Sequence, residues 1–167
     1  MRYFLYEYEM DLFSKRGSEK IDWNLFVKND GDKVSIEHIL PQTPDKPCWK
    51  TMLERFSPKE INLLQGTLGN LVPLSMSINS SLQNDCFEDK KRAKLDEKGN
   101  KFRLGYNDGS HSEIEISQKL QWTEQEILNR GIHLLSFMEK RWELKFESEE
   151  DKVELLGLNF LYENEIE

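Results

Sequence analysis

Two short apolar runs, each interrupted by a proline, limit this chain to a very small β-sheet. The first run covers residues 34–40 and stops at Pro41, and the second covers residues 71–74 and contains Pro73. A proline cannot donate a hydrogen bond to a neighbouring strand, so it marks a strand end or a sheet edge. The pattern predicts two short strands in a chain whose other signals are mainly helical, which is an α+β fold.

Helix signals surround both runs. Aromatic and apolar residues near helical spacing predict a helix over residues 2–15. Ser57 and Glu60 flank Pro58 in the order of a capped helix start. The clearest helix is predicted over residues 123–146, where Thr123 and Glu126 form a capping box ahead of an apolar stripe. An Asn-Asp-Gly turn within residues 99–117 predicts a β-hairpin there.

The length of 167 residues corresponds to about one domain. We predict a domain over residues 1–146, with a core at 33–92, a hairpin insert at 99–117 and a C-terminal helix at 123–146. Residues 147–167 form an acidic and apolar extension. The sequence contains neither a bilayer-length apolar stretch nor a signal-peptide pattern, so we expect a cytoplasmic protein without a membrane segment. Cys48 and Cys86 are 38 positions apart without a CxxC pair, which predicts free thiols rather than a disulfide scaffold or zinc site.

The charge distribution argues against a general nucleic-acid coat protein. The net charge is −8, so the chain as a whole is repelled by a phosphate backbone. Residues 90–103 nevertheless contain seven basic and two acidic residues, whereas residues 143–154 contain six acidic and two basic ones. An acidic chain with one basic segment is compatible with a localised site for a polyanion.

The end of the first predicted strand carries residues suited to phosphodiester hydrolysis. That reaction needs a base that takes a proton from water and a hard cation that neutralises charge on the phosphate. His38 is the candidate base, because an unperturbed imidazole pKa of about 6.5 suits neutral pH. Glu37 and Asn79 offer oxygen ligands of the type that Mg²⁺ or Mn²⁺ prefers.

These residues occur in a recognisable order. Glu37-His38-Ile39-Leu40-Pro41 is followed by Gly69-Asn70-Leu71, by Asn79 nine positions after Asn70, and by Asn84 and Phe87 ahead of Lys90. The order resembles the HNH nucleases, also called His-Me finger or ββα-metal nucleases. More narrowly, the chain resembles the C-terminal domain of GmrSD-type restriction endonucleases up to about residue 144. The resemblance implies a ββα-metal core of strand, long loop, strand and helix, flanked by N- and C-terminal helices.

The resemblance also implies a role for each matching residue. His38 matches the general base, Asn70 the residue that steadies the loop and the histidine, and Glu37 and Asn79 the metal ligands. Phosphate contacts are expected from the basic run, and Gln42 and Asn84 are secondary candidates; the basic residues are Lys90, Lys91, Arg92 and Lys94. The implied function is cleavage of DNA with Mg²⁺ or Mn²⁺ in phage defence or in restriction of modified DNA.

Proteins of this type carry a nucleotide-hydrolysing domain ahead of the nuclease domain. This chain lacks one, so we expect a piece of a longer protein or a separate subunit. Two alternatives remain open. The first is a catalytically inactive HNH-like module that binds nucleic acid or a partner protein. The second is a purely structural interaction domain, suggested by the net charge and the acidic C-terminal segment.

Overall fold

The computed structural model describes residues 1–17, 36–74, 82 and 84–163, with side chains up to residue 162. The helix expected after the second strand lies outside these ranges, as do the first residues of the first predicted strand. The described α-helices are α1 (Arg2–Arg16), α2 (Pro47–Leu53), α3 (Pro58–Gly66), α4 (Phe87–Lys91), α5 (His111–Ser117), α6 (Glu124–Trp142), α7 (Glu149–Leu156) and α8 (Phe160–Glu163). The strands are β1 (Ile36–His38), β2 (Leu71–Pro73), β3 (Lys94–Leu95) and β4 (Lys101–Arg103), and 3₁₀ turns cover Leu68–Asn70 and Tyr106–Asp108.

The α+β class is confirmed. Strands β1 and β2 form one two-stranded sheet, and β3 and β4 form a second, antiparallel one. Both strands expected beside prolines are present, and β2 ends at Pro73 itself. Helices α1 and α6 are the flanking helices expected near the two ends. The ββα-metal core stays a prediction, because the helix expected after β2 lies outside the described residues.

The hairpin predicted over residues 99–117 is wrong in its position. The hairpin is formed by β3 and β4, and residues His111–Ser117 form helix α5 instead. A capping box causes this difference, since Ser110 accepts from the backbone of Glu113 and the Glu113 side chain accepts from the backbone of Ser110. Ile114 and Ile116 are two positions apart, which matches the period of a strand, so their spacing could not reveal the capped helix.

The chain divides into two compact units. The first comprises Met1–Glu37 and Val72–Gln121, and the second comprises His38–Leu71 and Trp122–Glu167. In the first unit, α1 packs against α5 through a buried face that contains Leu5 and Tyr8. Glu9 is also buried there and accepts hydrogen bonds from the backbone amides of His111 and Ser112 at 2.7 and 2.8 Å. Its carboxylate thereby satisfies amide groups at the start of α5.

Helix α6 packs against the 3₁₀ turn Leu68–Asn70 and against α7 in the second unit. The 3₁₀ turn Leu68–Asn70 packs on it so closely that a Cβ atom at Gly69 would lie 2.0 Å from the carbonyl oxygen of Ile127. The predicted helix is confirmed, but it ends at Trp142, because Glu143 adopts a left-handed conformation with φ of 54°. Helices α7 and α8, from the predicted extension over residues 147–167, belong to the same unit as α6. The domain boundary at residue 146 stays a prediction.

Two further expectations concern the state of the cysteines and the membrane. Cys48 and Cys86 are both disulfide-bonded, so the expectation of free thiols is wrong. None of the described helices combines the length and the apolar character that crossing a bilayer requires.

Candidate functional site

Asn70 holds the chain segment that directly follows His38. Its Oδ1 accepts hydrogen bonds from the backbone amide of Leu40 at 2.7 Å and from Nε1 of Trp122 at 3.1 Å. Its Nδ2 donates to the carbonyl oxygens of Leu40 and Gln65, both at 2.9 Å. The side chain is fully buried, and its two donor hydrogens and two acceptor positions are all used. Asparagine suits this position because one short side chain both donates to and accepts from the same backbone residue.

Further hydrogen bonds extend this contact along residues 39–42. The backbone amide of Ile39 donates to the carbonyl oxygen of Asn70 at 3.0 Å. The side chain of Gln65 donates to the carbonyl oxygens of Pro41 and Gln42 at 2.7 and 3.2 Å. We call these bonds, together with the four made by the Asn70 side chain, the Asn70 clamp. Gln42 contributes its backbone to the clamp, while its side chain is exposed.

Two residues of the second unit support the clamp from α6 and the segment before it. Arg130 donates from Nη1 to the carbonyl oxygens of Gly69 and Leu71, both at 2.8 Å, and so fixes the backbone on each side of Asn70. Trp122 contributes the indole bond to Asn70. The sequence gives no signal for Gln65, which resembles an ordinary helix residue.

Glu37, the residue before His38, forms a buried ion pair with Lys90. Lys90 Nζ lies 2.6 Å from Glu37 Oε1; the lysine side chain is 0% exposed and the glutamate side chain is 18% exposed. Burial lowers the pKa of the Lys90 ammonium, and the Glu37 charge and hydrogen bond offset part of that shift. A fully buried ammonium has no surface to offer a phosphate, so this position differs from the direct DNA contact expected of Lys90.

The ion pair belongs to a larger group of charges in the first unit. Arg103 is buried, and it donates to Asp85 Oδ2 at 2.7 Å and to the carbonyl oxygen of Asp89 at 2.6 Å. The Asp85 carboxylate also binds Lys94 Nζ at 2.7 Å. The charges of Asp85 and Arg103 act on the pKa of Lys90 in opposite directions. Neither Asp85 nor Arg103 was singled out from the sequence, because their partners lie 9 to 18 positions away.

The remaining basic residues near Lys90 are paired with acids. Glu88 binds Lys91 at 2.5 Å and Arg92 at 3.4 Å, and Lys91 also donates to the carbonyl oxygen of Lys119. Arg92 is exposed, Lys94 is partly exposed and Lys91 is largely buried. The basic run therefore presents less free positive charge than its sequence suggests.

The other predicted site residues are His38, Asn84 and Asn79. His38 ends β1 and is half-buried, and along the chain it directly precedes the segment held by the Asn70 clamp. Asn84 is half-buried. Asn79 lies outside the described residues, so its role as a metal ligand stays a prediction. The chain passes from the first unit to the second between Glu37 and His38.

The described residues provide a limited set of metal ligands. No three His, Cys, Asp or Glu side chains converge on a possible ion position within the described part of the chain. Glu37 binds Lys90 through Oε1, and no other hydrogen bond to its carboxylate occurs among the described residues. One available carboxylate oxygen fits Mg²⁺ or Mn²⁺, because such an ion keeps several waters and uses few protein ligands.

Comparison with known proteins identifies the family. A family model described as the C-terminal domain of GmrSD restriction endonucleases matches residues 1–137, which include Glu37, His38, the Asn70 clamp and Lys90. No curated protein and no solved structure shows a significant match. The family match covers more than four fifths of the 167 residues. The chain therefore belongs to the family of C-terminal domains of GmrSD restriction endonucleases.

Proposed function

We propose that this protein is an endonuclease domain that cleaves DNA phosphodiester bonds with Mg²⁺ or Mn²⁺. The observation that carries the proposal is the family match over residues 1–137, which includes His38 with Asn70. The substrate would be phage DNA or DNA with modified bases, and the setting would be the cytoplasm. A nucleotide-hydrolysing domain or subunit would act with it.

In the proposed mechanism His38 is the general base. Its imidazole accepts a proton from the attacking water, a step that requires the base to be held within hydrogen-bond reach of that water. The Asn70 clamp supports this role, because it fixes the backbone one to four residues after His38. Asn70 is a positioning residue in this scheme, since all its hydrogen-bonding groups are occupied within the protein.

Glu37 and Asn79 would hold the divalent ion. When bound, the ion neutralises charge on the phosphate and on the leaving oxygen. Lys90 fixes Glu37 Oε1 through the 2.6 Å ion pair. Lys90 thus orients the carboxylate instead of contacting DNA, and the phosphate contacts would come from Arg92 and Lys94, which are at least partly exposed, with a smaller share from Lys91. Gln42 and Asn84 remain secondary candidates for contacts near the site.

A plasmid-nicking assay tests the proposal. Purified protein is incubated with supercoiled plasmid and either Mg²⁺ or Mn²⁺, and conversion to the open circular or linear form is measured on a gel. We expect His38→Ala to abolish conversion. His133→Ala is the matched control, because His133 is an exposed residue of α6 outside the proposed site. Equal nicking by wild type and His38→Ala would remove His38 from the mechanism.

A second candidate function is nucleic-acid binding without cleavage. It is favoured by the engagement of Glu37 with Lys90 and by the lack of a three-ligand cluster within the described ranges. This candidate predicts salt-sensitive retention of DNA without any product in Mg²⁺, Mn²⁺ or other divalent ions. Cleavage that depends on His38 would exclude it.

A further inference from the structure

The hairpin formed by β3 and β4 exposes two large apolar side chains. Phe102 is 64% exposed and Leu95 is 57% exposed. Side chains with this much exposure add little to the free energy of folding, because they bury little apolar surface. Two of them on one short ribbon are therefore candidates for contact with another molecule.

The hairpin is held firmly at its base and at its turn. At the base, the buried Arg103 binds Asp85 and the carbonyl oxygen of Asp89. At the turn, the carboxylate of Asp96 accepts from the backbone amide and the side chain of Asn100, and these bonds lower the pKa of Asp96. Gly99 adopts a φ of 81° in the same turn, a left-handed conformation that glycine adopts without strain. The exposed side chains are therefore presented on a preformed element.

Two exposed lysines lie on the same hairpin as the two apolar side chains. Residues 92–103 contain five basic and two acidic residues in a chain of net charge −8, but Arg92, Lys94 and Arg103 are paired with Glu88 and Asp85. Lys98 is exposed at the turn and forms no side-chain bond among the described residues. Lys101 pairs with Asp108 at 2.9 Å but stays largely exposed. The exposed ammonium groups of Lys98 and Lys101 are complementary to phosphates.

We propose that the hairpin, residues 94–103, binds duplex DNA next to the proposed cleavage site. Phe102 and Leu95 lie against a groove, and Lys98 and Lys101 contact the flanking phosphates. A two-stranded β-ribbon fits a DNA groove, and apolar side chains inserted there contact sugars and base edges. The inference rests on the proposed function for its DNA substrate. The position next to the site follows from Asp85, which binds Arg103 of the hairpin and whose charge also acts on Lys90, the partner of Glu37.

The test measures binding of the full chain to a short fluorescent duplex by anisotropy, in EDTA, at several salt concentrations. We expect Phe102→Ala to weaken binding at least about fivefold without changing the salt dependence, because it removes an apolar contact. We expect the Lys98→Ala/Lys101→Ala double variant to lower the slope of log K against log salt by about 0.9 for each phosphate that is no longer neutralised. Phe102→Trp should retain wild-type affinity.

Matched controls come from exposed residues of the same types outside the hairpin. Leu120 is 90% exposed, and Lys59 is exposed on α3, so Leu120→Ala and Lys59→Ala should bind like wild type. Circular dichroism confirms that each variant folds, which is expected because the changed side chains are exposed. The proposal would be overturned if the hairpin variants kept the wild-type affinity and salt slope. It would also be overturned by an equal loss of affinity in the control variants, or by a wild-type protein that does not bind the duplex.

Binding and cleavage are measured separately, so failure of the hairpin proposal can be distinguished from failure of the proposed nuclease function. Hairpin-dependent binding without cleavage would support the hairpin inference and contradict the nuclease proposal. Tighter binding of the single strand than of the duplex would overturn the assignment of duplex DNA as the ligand.

Discussion

Removing the Lys90 ammonium should destabilise the protein by leaving the Glu37 carboxylate without its partner. Breaking a buried ion pair costs about 3–5 kcal/mol, mainly because one charge stays buried and uncompensated. Lys90 has no exposed surface, but the Glu37 side chain keeps 18% exposure and can regain some hydration. We therefore expect Lys90→Met to lower the free energy of unfolding by about 3 kcal/mol, at the low end of that range.

A double-mutant cycle isolates the contribution of the pair. Glu37→Gln keeps a hydrogen-bond acceptor near the ammonium but removes the negative charge, so we expect a loss of about 2 kcal/mol. The double variant Glu37→Gln/Lys90→Met buries neither charge. Its loss should be smaller than the sum of the two single losses by about 2 kcal/mol.

Urea denaturation at neutral pH, followed by tryptophan fluorescence, measures each free energy of unfolding. Lys15→Met with Asp11→Asn is the matched control, because that pair is a solvent-exposed pair within helix α1. Its coupling should be about 0.5 kcal/mol or less. Additive losses in the Glu37 and Lys90 variants, within about 0.5 kcal/mol, would refute the assignment of a coupled buried pair.

Three further outcomes are expected. Asn70→Leu keeps the side-chain volume but leaves backbone groups of Leu40 buried without partners. The free energy of unfolding, measured by urea titration, should therefore fall by at least about 3 kcal/mol, and plasmid nicking should be lost. Gly69→Ala places a Cβ 2.0 Å from the Ile127 carbonyl oxygen. This clash should lower the free energy of unfolding by about 2 kcal/mol or more, which thermal denaturation detects as a lower melting temperature. Because the pKa of Lys90 is lowered from 10.5, wild-type stability relative to Glu37→Gln/Lys90→Met should rise with pH between the folded-state pKa and 10.5.

The sign of the pH effect follows from proton binding. In that alkaline window the unfolded chain carries the Lys90 proton while the folded chain has begun to lose it, so a rise in pH favours the folded state. Below the folded-state pKa both states carry the proton, and this contribution is lost. A relative stability that stays flat or falls with pH would contradict the lowered pKa.

Gly66→Ala is the control for Gly69→Ala, since nothing lies within 4 Å of a Cβ at Gly66, and a comparable loss there would contradict the steric argument.

The features that the sequence predicted correctly are local ones. Proline positions mark the ends of short strands, and the capping box at Ser57 and Glu60 forms as its spacing indicates. The hairpin at 99–117 was predicted wrongly because one local signal, the Asn-Asp-Gly turn, competed with another, the capping box at Ser110. Both signals were in the sequence, but their relative strength depends on the packing of the resulting helix.

The contacts of the candidate site are long-range, which explains why they were missed. The sequence predicts a phosphate contact for Lys90, yet the lysine is buried on Glu37, which lies 53 positions earlier. Gln65 reaches back 24 positions to a backbone carbonyl oxygen. A single sequence carries no direct record of such distances. The family resemblance predicts roles for His38 and Asn70, and the structure supplies the bonds that Asn70 makes.

The Asn70 clamp has a consequence for how this segment meets a substrate. Residues 39–42 are tied down before any ligand arrives, so the conformational entropy of ordering them has already been lost during folding. Association with a ligand then carries no additional ordering penalty from this stretch. The Leu40 amide, bonded to a buried side chain, should accordingly be among the slowest to exchange its hydrogen with solvent, whether or not a ligand is present.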